Sequence, residues 1–145
     1  MMTFRQMARK LERAAVLADK GLVVPTEAVM VLVEAQAREV IGTYNYGWPE
    51  LAASTQADRV AQGYPADEPL LRTGELAASI SHKVEDVGPV VQGLVYSDDI
   101  VALWQEMGTS RGIPPRSFLM GSLVRAIPEM ERIYGAFVVR ILVSA

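Results

Sequence analysis

A chain of 145 residues, 50% apolar and 21% charged, is long enough for one domain with a substantial core and has an ordinary globular composition. It has no cysteine and a single histidine, His82, so disulfides, zinc–thiolate sites and a thiol nucleophile are excluded, and a histidine-based metal or catalytic set is disfavoured. Its 17 acids and 14 bases give a net charge of −3, which argues against a DNA-binding role because no basic surplus neutralises phosphates.

The amino terminus and the apolar runs bear on location. Residues 1–5 lack the apolar run and the small-residue cleavage site of a signal peptide. The longest apolar runs, 28–33 and 136–139, are far shorter than the roughly 18 residues that a membrane span needs. We therefore expect a protein that is cytosolic when made and that is not part of a membrane.

Two helices are predicted before residue 43. Apolar residues recur at spacings of three and four over 4–20, which predicts an amphipathic helix with Thr3 as its N-cap. Gly21 and Pro25 interrupt that pattern. A second helix is predicted from about 26 to 41, after which Gly42 ends it.

The second helix has Thr26 as its expected N-cap and an unusually wide apolar face. Met30 and Val31 extend this face beyond what a solvated helix carries. We therefore expect the helix either to be sandwiched inside the fold or to pack on another subunit.

Residues 43–69 are predicted to form a long loop interrupted by a short helix over about 54–62. The aromatic residues Tyr44, Tyr46 and Trp48 open this loop. Local core packing under the loop is the favoured interpretation of the three aromatics. A subunit-contact surface is the alternative, because tryptophan and tyrosine are enriched there.

A short helix and a β-hairpin are predicted next. Thr73 would cap a helix that ends at Ser79. Apolar and polar residues then alternate over 80–85, Gly88–Pro89 is a turn, and 90–96 forms the returning strand. Two strands alone are marginal in water, so the pair must lie on the helices and could extend its sheet across a subunit boundary.

The last third of the chain is predicted to be helical around one exposed loop. Asp98 and Asp99 would cap a helix that Gly108 ends, with Ile100, Leu103, Trp104 and Met107 on one side. Residues 109–115 form an exposed loop that two prolines stiffen. Ser117 begins the C-terminal helical region, which Pro128 kinks or restarts.

Groups capable of chemistry are sparse. Asp98, Asp99 and Glu106 form the one tempting carboxylate cluster, but an Asp pair before a helix is far more often a cap than a metal site. His82 is predicted to be structural or on the surface. Residues 108–112 lack the spacing of a phosphate-binding loop, and no serine lies in a Gly-x-Ser-x-Gly motif. Enzymatic function is therefore disfavoured, and neither a cofactor nor a metal is expected.

Three motifs carry a family resemblance. The first is Leu70-Leu71-Arg72-Thr73-Gly74-Glu75-Leu76 followed by Ser79-Ile80, with Trp48, Leu51, Ser54 and Thr55 ahead of it. The second is Glu106-Met107-Gly108-Thr109 and the third Ile113-Pro114-Pro115-Arg116-Ser117-Phe118-Leu119. Their order over residues 48–125 resembles the tail-completion and neck proteins of tailed bacteriophages, in the virion-morphogenesis and minor-tail-component families. Three positions differ from the family pattern: Met107 stands where the pattern has an aromatic residue, Pro115 where it has an alanine, and Ser117 where it has a proline.

The resemblance implies a structural protein of the phage neck that assembles as a ring, commonly sixfold, between the head connector and the tail tube. Its implied partners are further copies of itself, the connector or stopper protein, and the tail-tube or terminator protein. DNA would pass through the lumen without specific binding. The expected contact elements are the segment from Thr109 to Phe118 and the Trp48 loop, with Arg72 and Arg116 pairing with acids or carbonyls. The expected interface residues are Trp48, Arg72, Thr73, Gly74, Trp104, Glu106, Gly108, Thr109, Arg111, Ile113, Pro114, Pro115, Arg116 and Phe118.

The expected fold is α+β: long N-terminal helices and a C-terminal helix packed on a small antiparallel sheet, in one ring-forming domain over 1–145. Within it we distinguish N-terminal helices (1–42), the long loop (43–69), the family core (70–125) and the C-terminal helix (126–145). Two alternatives remain: a tail terminator or head-side stopper in the same neck, or a small ligand-binding or hydrolytic domain that uses residues 98–111.

Overall fold

The computed structural model describes residues 2–145; Met1, part of the amino-terminal stretch considered above, lies outside them. The described chain is α+β, as expected: it combines helices with a two-stranded antiparallel sheet. In chain order its elements are α1 (Phe4–Gly21), α2 (Val23–Val40), α3 (Ala53–Ala61), α4 (Glu75–Ser79), β1 (Ile80–Asp86), β2 (Val91–Ser97), α5 (Ile100–Met107) and α6 (Leu119–Ser144). Within residues 2–145, no helix is long and apolar enough to cross a membrane.

Helix α1 begins as predicted. The Oγ1 of Thr3 accepts a hydrogen bond from the backbone N–H of Gln6 (3.3 Å), while Oε1 of Gln6 accepts one from the N–H of Thr3 (2.8 Å). This reciprocal capping box satisfies two donors that the first turn leaves unpaired.

Helix α2 begins earlier than predicted. It starts at Val23 and includes Pro25, because the missing N–H of a proline costs nothing in a first turn, where no helical acceptor exists. The prediction that Thr26 is the N-cap is therefore wrong. Thr26 lies inside the helix, and its Oγ1 donates to the carbonyl of Leu22 (2.8 Å).

Helix α2 is the centre of the fold. It packs against α6 and against both strands, and it also contacts α1. Val29, Met30 and Val33 are buried together with Ala126 of α6, whereas Val31 is half exposed. Of the two explanations for the wide apolar face, the structure supports a helix sandwiched inside the fold.

The predicted hairpin is confirmed. The strands pair from Ile80 opposite Ser97 to Asp86 opposite Val91, and the N–H of Val87 donates to the carbonyl of Val90 (2.8 Å) across the turn. Gly93 lies directly over α2. A Cβ at that position would be 2.7 Å from Sδ of Met30, so the sheet approaches the helix closely only because this residue is a glycine.

The long loop is held by its own side chains. Its short helix, α3, is confirmed at Ala53–Ala61. Trp48 is buried in the main core cluster and meets Tyr46 edge-on, with ring centroids 5.6 Å apart. The hydroxyl of Tyr46 lies 2.8 Å from Oγ of Ser122 in α6. The structure thus supports local core packing for these aromatics.

Two boundaries differ from those predicted from the sequence. The cap position of α4 is Gly74, with a φ of 88°, although Oγ1 of Thr73 still accepts from the N–H of Glu75 (3.4 Å). Helix α6 runs without interruption through Pro128, so the expected division between residues 125 and 126 falls inside a helix. The proline leaves the carbonyl of Val124 without its helical partner but does not end the helix.

Candidate functional site

The second and third motifs meet where α5 gives way to α6. Helix α6 has no side-chain cap of its own, and Glu106 of α5 fills that role. One carboxylate oxygen, Oε2, accepts from the N–H groups of Phe118 (2.8 Å) and Leu119 (3.0 Å). The other, Oε1, accepts from Oγ of Ser117 (2.5 Å) and from the N–H of Met120 (3.0 Å). A negative charge at the N-terminus of a helix also interacts favourably with the helix dipole.

The loop between the two motifs is folded back on itself. The N–H of Thr109 donates to the carbonyl of Ile113 (2.9 Å), and the N–H of Ile113 donates to Oγ1 of Thr109 (3.3 Å). Gly108 has a φ of 72°, and a Cβ there would lie 2.8 Å from the carbonyl oxygen of Ile113. The glycine of the second motif is therefore required for this tight loop to close.

Arg116 ties the third motif to the loop that carries Trp48. Its backbone N–H donates to the carbonyl of Gln105 (2.6 Å), and its Nη2 donates to the carbonyl of Pro49 (3.0 Å). The side chain is only 5% exposed, and burial lowers the pKa of Arg116, an effect to which the nearby Arg59 adds. Of the two partners expected for Arg116, acids or carbonyls, the structure shows a carbonyl.

The first motif lies against α3 and α5. The guanidinium of Arg72 stacks over Tyr64 (4.8 Å to the ring centroid), hydrogen bonds to Gln62 and lies 3.8 Å from Oδ2 of Asp58. Arg72 also lines a cavity of about 410 Å³ shared by the first motif and α5. The other lining residues include Arg59, Thr73, Gly74, Asp99 and Gln105.

The apolar side of α5 faces away from the core. Ala102 is buried, whereas the four large apolar side chains of the helix are between 45% and 71% exposed. We call these four the α5 stripe: Ile100, Leu103, Trp104 and Met107. The sequence correctly groups them on one side, and the structure places that side on the surface. Arg111 in the folded-back loop is also exposed.

Two of the three carboxylates in the candidate cluster, Asp99 and Glu106, have structural roles. Oδ1 of Asp99 accepts from the N–H of Val101 (2.9 Å) at the start of α5, as the capping interpretation predicts, and Glu106 caps α6. No three or more histidine, aspartate or glutamate side chains within residues 2–145 are grouped so that they could hold a metal ion.

Two clusters of interacting side chains are not predicted by the sequence. Nη1 of Arg59 donates to the carbonyls of Glu68 (2.7 Å) and Leu71 (2.7 Å), which fastens the end of the long loop. His82 in β1 lies between two acids of α2: Nε2 is 2.9 Å from Oε1 of Glu27, and Nδ1 contacts Glu34. Hydrogen bonds to Glu27 and then Glu34 raise the pKa of His82. Neither cluster is visible in sequence because its partners are distant along the chain.

The expected interface residues fall into three groups by exposure. Trp48, Arg116 and Phe118 are buried, so they support the site from within the chain. Glu106, Gly108, Thr109 and Pro114 are partly buried and shape the junction between α5 and α6, and Gly74 is also partly buried. The exposed members are Arg72, Thr73, Trp104, Arg111, Ile113 and Pro115.

Comparison with protein-family models, curated proteins and solved structures finds no match to this chain.

Proposed function

We propose that this chain is a structural subunit of the neck of a tailed phage. It assembles with copies of itself into a ring between the head connector and the tail tube, and it completes the tail or joins it to the filled head. The starting point is the resemblance of three motifs, in order, over residues 48–125.

The observation that carries the proposal is that the matched motifs contact one another. Glu106 of the second motif caps the helix at which the third motif ends, and Arg116 of the third hydrogen bonds to Gln105 and to Pro49, the neighbour of Trp48. Accidental matches would not be expected to fall on residues that meet in the fold. The first motif joins them through the core cluster in which its Leu70, Leu76 and Ile80 are buried with Trp48 and Phe118. These contacts support treating the three motifs as one structural unit.

A surface suited to assembly lies over this unit. The α5 stripe presents a tryptophan, a methionine, a leucine and an isoleucine to solvent, and aromatic and methionine side chains are enriched at protein interfaces. Exposed apolar side chains grouped on one helix face mark interaction sites more often than single ones do. Repeating such a contact around an axis gives a closed ring when the rotation closes.

The overall charge is compatible with a DNA conduit. The chain carries a net charge of −3, so a ring of several copies would be acidic. Repulsion between like charges would keep a passing duplex from adhering to the subunits.

Electron microscopy of phage lysates tests the proposal. The parent phage would carry a stop codon early in this gene, and the control would supply the intact gene from a plasmid. Filled heads lying beside separate tails, restored to joined virions by the plasmid, are the expected result. Normal joined virions without the protein would overturn the proposal. Position of the gene between the connector genes and the tail-tube gene would further separate the neck role from a tail-terminator or head-side-stopper role.

A further inference from the structure

Helix α1 extends an apolar stripe beyond the part of the fold that covers it. Its carboxyl-terminal half packs on α6, where Ala14 is buried with Phe137 and Ile141. The same stripe continues towards the start of α1, at spacings of three and four, through side chains that are 93%, 48% and 55% exposed. We call these three the α1 stripe: Phe4, Met7 and Leu11.

The α1 stripe is bordered by uncompensated positive charge. Helix α1 contains five bases and two acids: Arg5, Arg9, Lys10, Arg13 and Lys20 against Glu12 and Asp19. Within residues 2–145, none of these side chains takes part in an ion pair. The remainder of the chain is acidic, because it contains nine bases and fifteen acids of the totals of 14 and 17. The surface that best complements α1 is therefore both apolar and acidic.

The α5 stripe has this complementary character. It lies within a segment, residues 84–111, that contains five acids and a single base, the exposed Arg111, and so has a net charge of −4. Among these acids, Asp98 is exposed immediately before α5. The two helices thus carry apolar stripes of similar kind with surroundings of opposite charge.

A chain cannot bring its own α1 stripe to its own α5 stripe. Helix α1 packs beside Phe137, whereas α5 belongs to the core cluster of Phe118. These two residues of α6 are about 28 Å apart along the helix. The beginning of α1 lies farther away still, because Arg9 and Arg13 are beside Ala145 while Gly21 is beside Phe137. Contact between the stripes therefore requires two copies.

We propose that the α1 stripe of one copy docks on the α5 stripe of the next. The contact is heterologous: each copy offers α1 to one neighbour and α5 to the other, so it propagates around a ring. The inference rests on the self-assembly in the proposed function and adds the two surfaces that meet. The partner is a second copy of this chain, recognised by an apolar stripe and by opposite charge.

Two double variants test the contact, each changing only exposed side chains. Met7→Glu with Leu11→Glu disables α1 and leaves α5 intact, and Leu103→Glu with Met107→Glu does the reverse. Sedimentation velocity and light scattering on the full chain give the mass of each species, and circular dichroism checks the fold. The matched control, Val60→Glu with Val87→Glu, places the same charges on exposed apolar positions of α3 and the hairpin turn.

The expected results form a pattern. Wild type and control assemble, and each double variant sediments as a monomer of 15.8 kDa. An equimolar mixture of the two double variants forms a heterodimer and nothing larger, because it contains one intact α1–α5 pair. Added salt weakens the heterodimer, since opposite charges contribute to it.

Three outcomes would overturn the inference. Double variants that assemble like wild type would show that copies meet elsewhere, and the neck proposal would survive. Monomeric double variants that fail to combine would exclude the head-to-tail pairing. A monomeric wild type would exclude a second copy as the partner, and co-sedimentation with phosphatidylserine vesicles would then assign α1 to a membrane surface. The phage lysate experiment judges the neck role independently of all three.

Discussion

Phe118 donates its backbone N–H to Oε2 of Glu106, 2.8 Å away, across the loop that separates α5 from α6. The side chain of Phe118 is also fully buried, so both its backbone and its side chain are held in place. The hydrogen bond therefore fixes the orientation of α5 relative to the start of α6. The α5 stripe is accordingly held in a fixed position relative to α6.

Replacing Glu106 should destabilise the fold. Glu106→Ala removes the acceptor for three backbone N–H groups and the Ser117 hydroxyl, and we expect a loss of about 2 kcal/mol in the free energy of unfolding. Urea unfolding followed by circular dichroism measures it. Glu131→Ala, an exposed change within α6, the helix that Glu106 caps, serves as the control and should alter stability by less than about 0.5 kcal/mol. Equal effects of the two changes would refute the capping role.

Arg116 should act through packing more than through charge. Within residues 2–145, its Nε is buried without a partner, and Nη2 is the side-chain nitrogen that donates, to the carbonyl of Pro49. Arg116→Met keeps the apolar stem and removes the buried charge, whereas Arg116→Ala also leaves a cavity. We expect Ala to cost about 1 kcal/mol more than Met in urea unfolding. Equal losses would show that the hydrogen bond to Pro49 dominates. Weaker ring assembly in Arg116→Ala would therefore not by itself prove a direct subunit contact.

His82 should make stability depend on pH. Hydrogen bonds to Glu27 and Glu34 raise its pKa above the usual value, so the folded state holds the proton more tightly than the unfolded chain does. This contribution is fully present below about pH 6.5 and is lost as pH rises through the raised pKa. His82→Gln should therefore cost more stability near pH 6 than near pH 9, in urea unfolding. The single histidine of the chain makes the comparison clean. A constant difference between the two proteins across this range would contradict the assignment.

Gly93 should tolerate no side chain while Met30 is present. In Gly93→Ala the new Cβ would lie 2.7 Å from Sδ of Met30, and we expect a loss of about 1–3 kcal/mol. Combining it with Met30→Ala should reduce that loss by about 1 kcal/mol or more, which a double-mutant cycle measures. Gly135→Ala is the control, because within residues 2–145 no atom other than the adjoining backbone of α6 and the two neighbouring residues lies within 4 Å of its Cβ position. It should leave stability unchanged or higher. Simple additivity of the two changes would refute the close contact.

Local patterns in the sequence are sufficient to predict much of the fold. The alternation of residues 80–85 and the Gly88–Pro89 turn predict β1, β2 and their connection, because both strands and turn depend on neighbours along the chain. Thr3 predicts the start of α1 for the same reason. The start of α2 was misplaced because two local rules compete there: proline commonly precedes a helix, but it is also accepted in a first turn.

Contacts between residues that are distant along the chain could not be predicted from sequence patterns. The periodicity of α5 groups its apolar side chains but contains no information on whether anything covers them. Glu106 looks like one acid among several, and its task depends on a helix that begins beyond a loop. The same holds for Arg59, whose acceptors lie across the turn after α3. Sequence therefore predicted the α5 stripe and the motifs, but not their orientation or their mutual contacts.

The central position of α2 has a consequence for biosynthesis. This helix leaves the ribosome before β1, β2 and α6, which follow it in the chain and cover its buried face. Burial of Val29 and Val33 must therefore wait until α6 has been translated. Contacts of such large sequence separation slow folding, and an apolar segment left uncovered meanwhile is prone to aggregate. We expect a chaperone that shields α2 until α6 has been translated to raise the yield of folded protein.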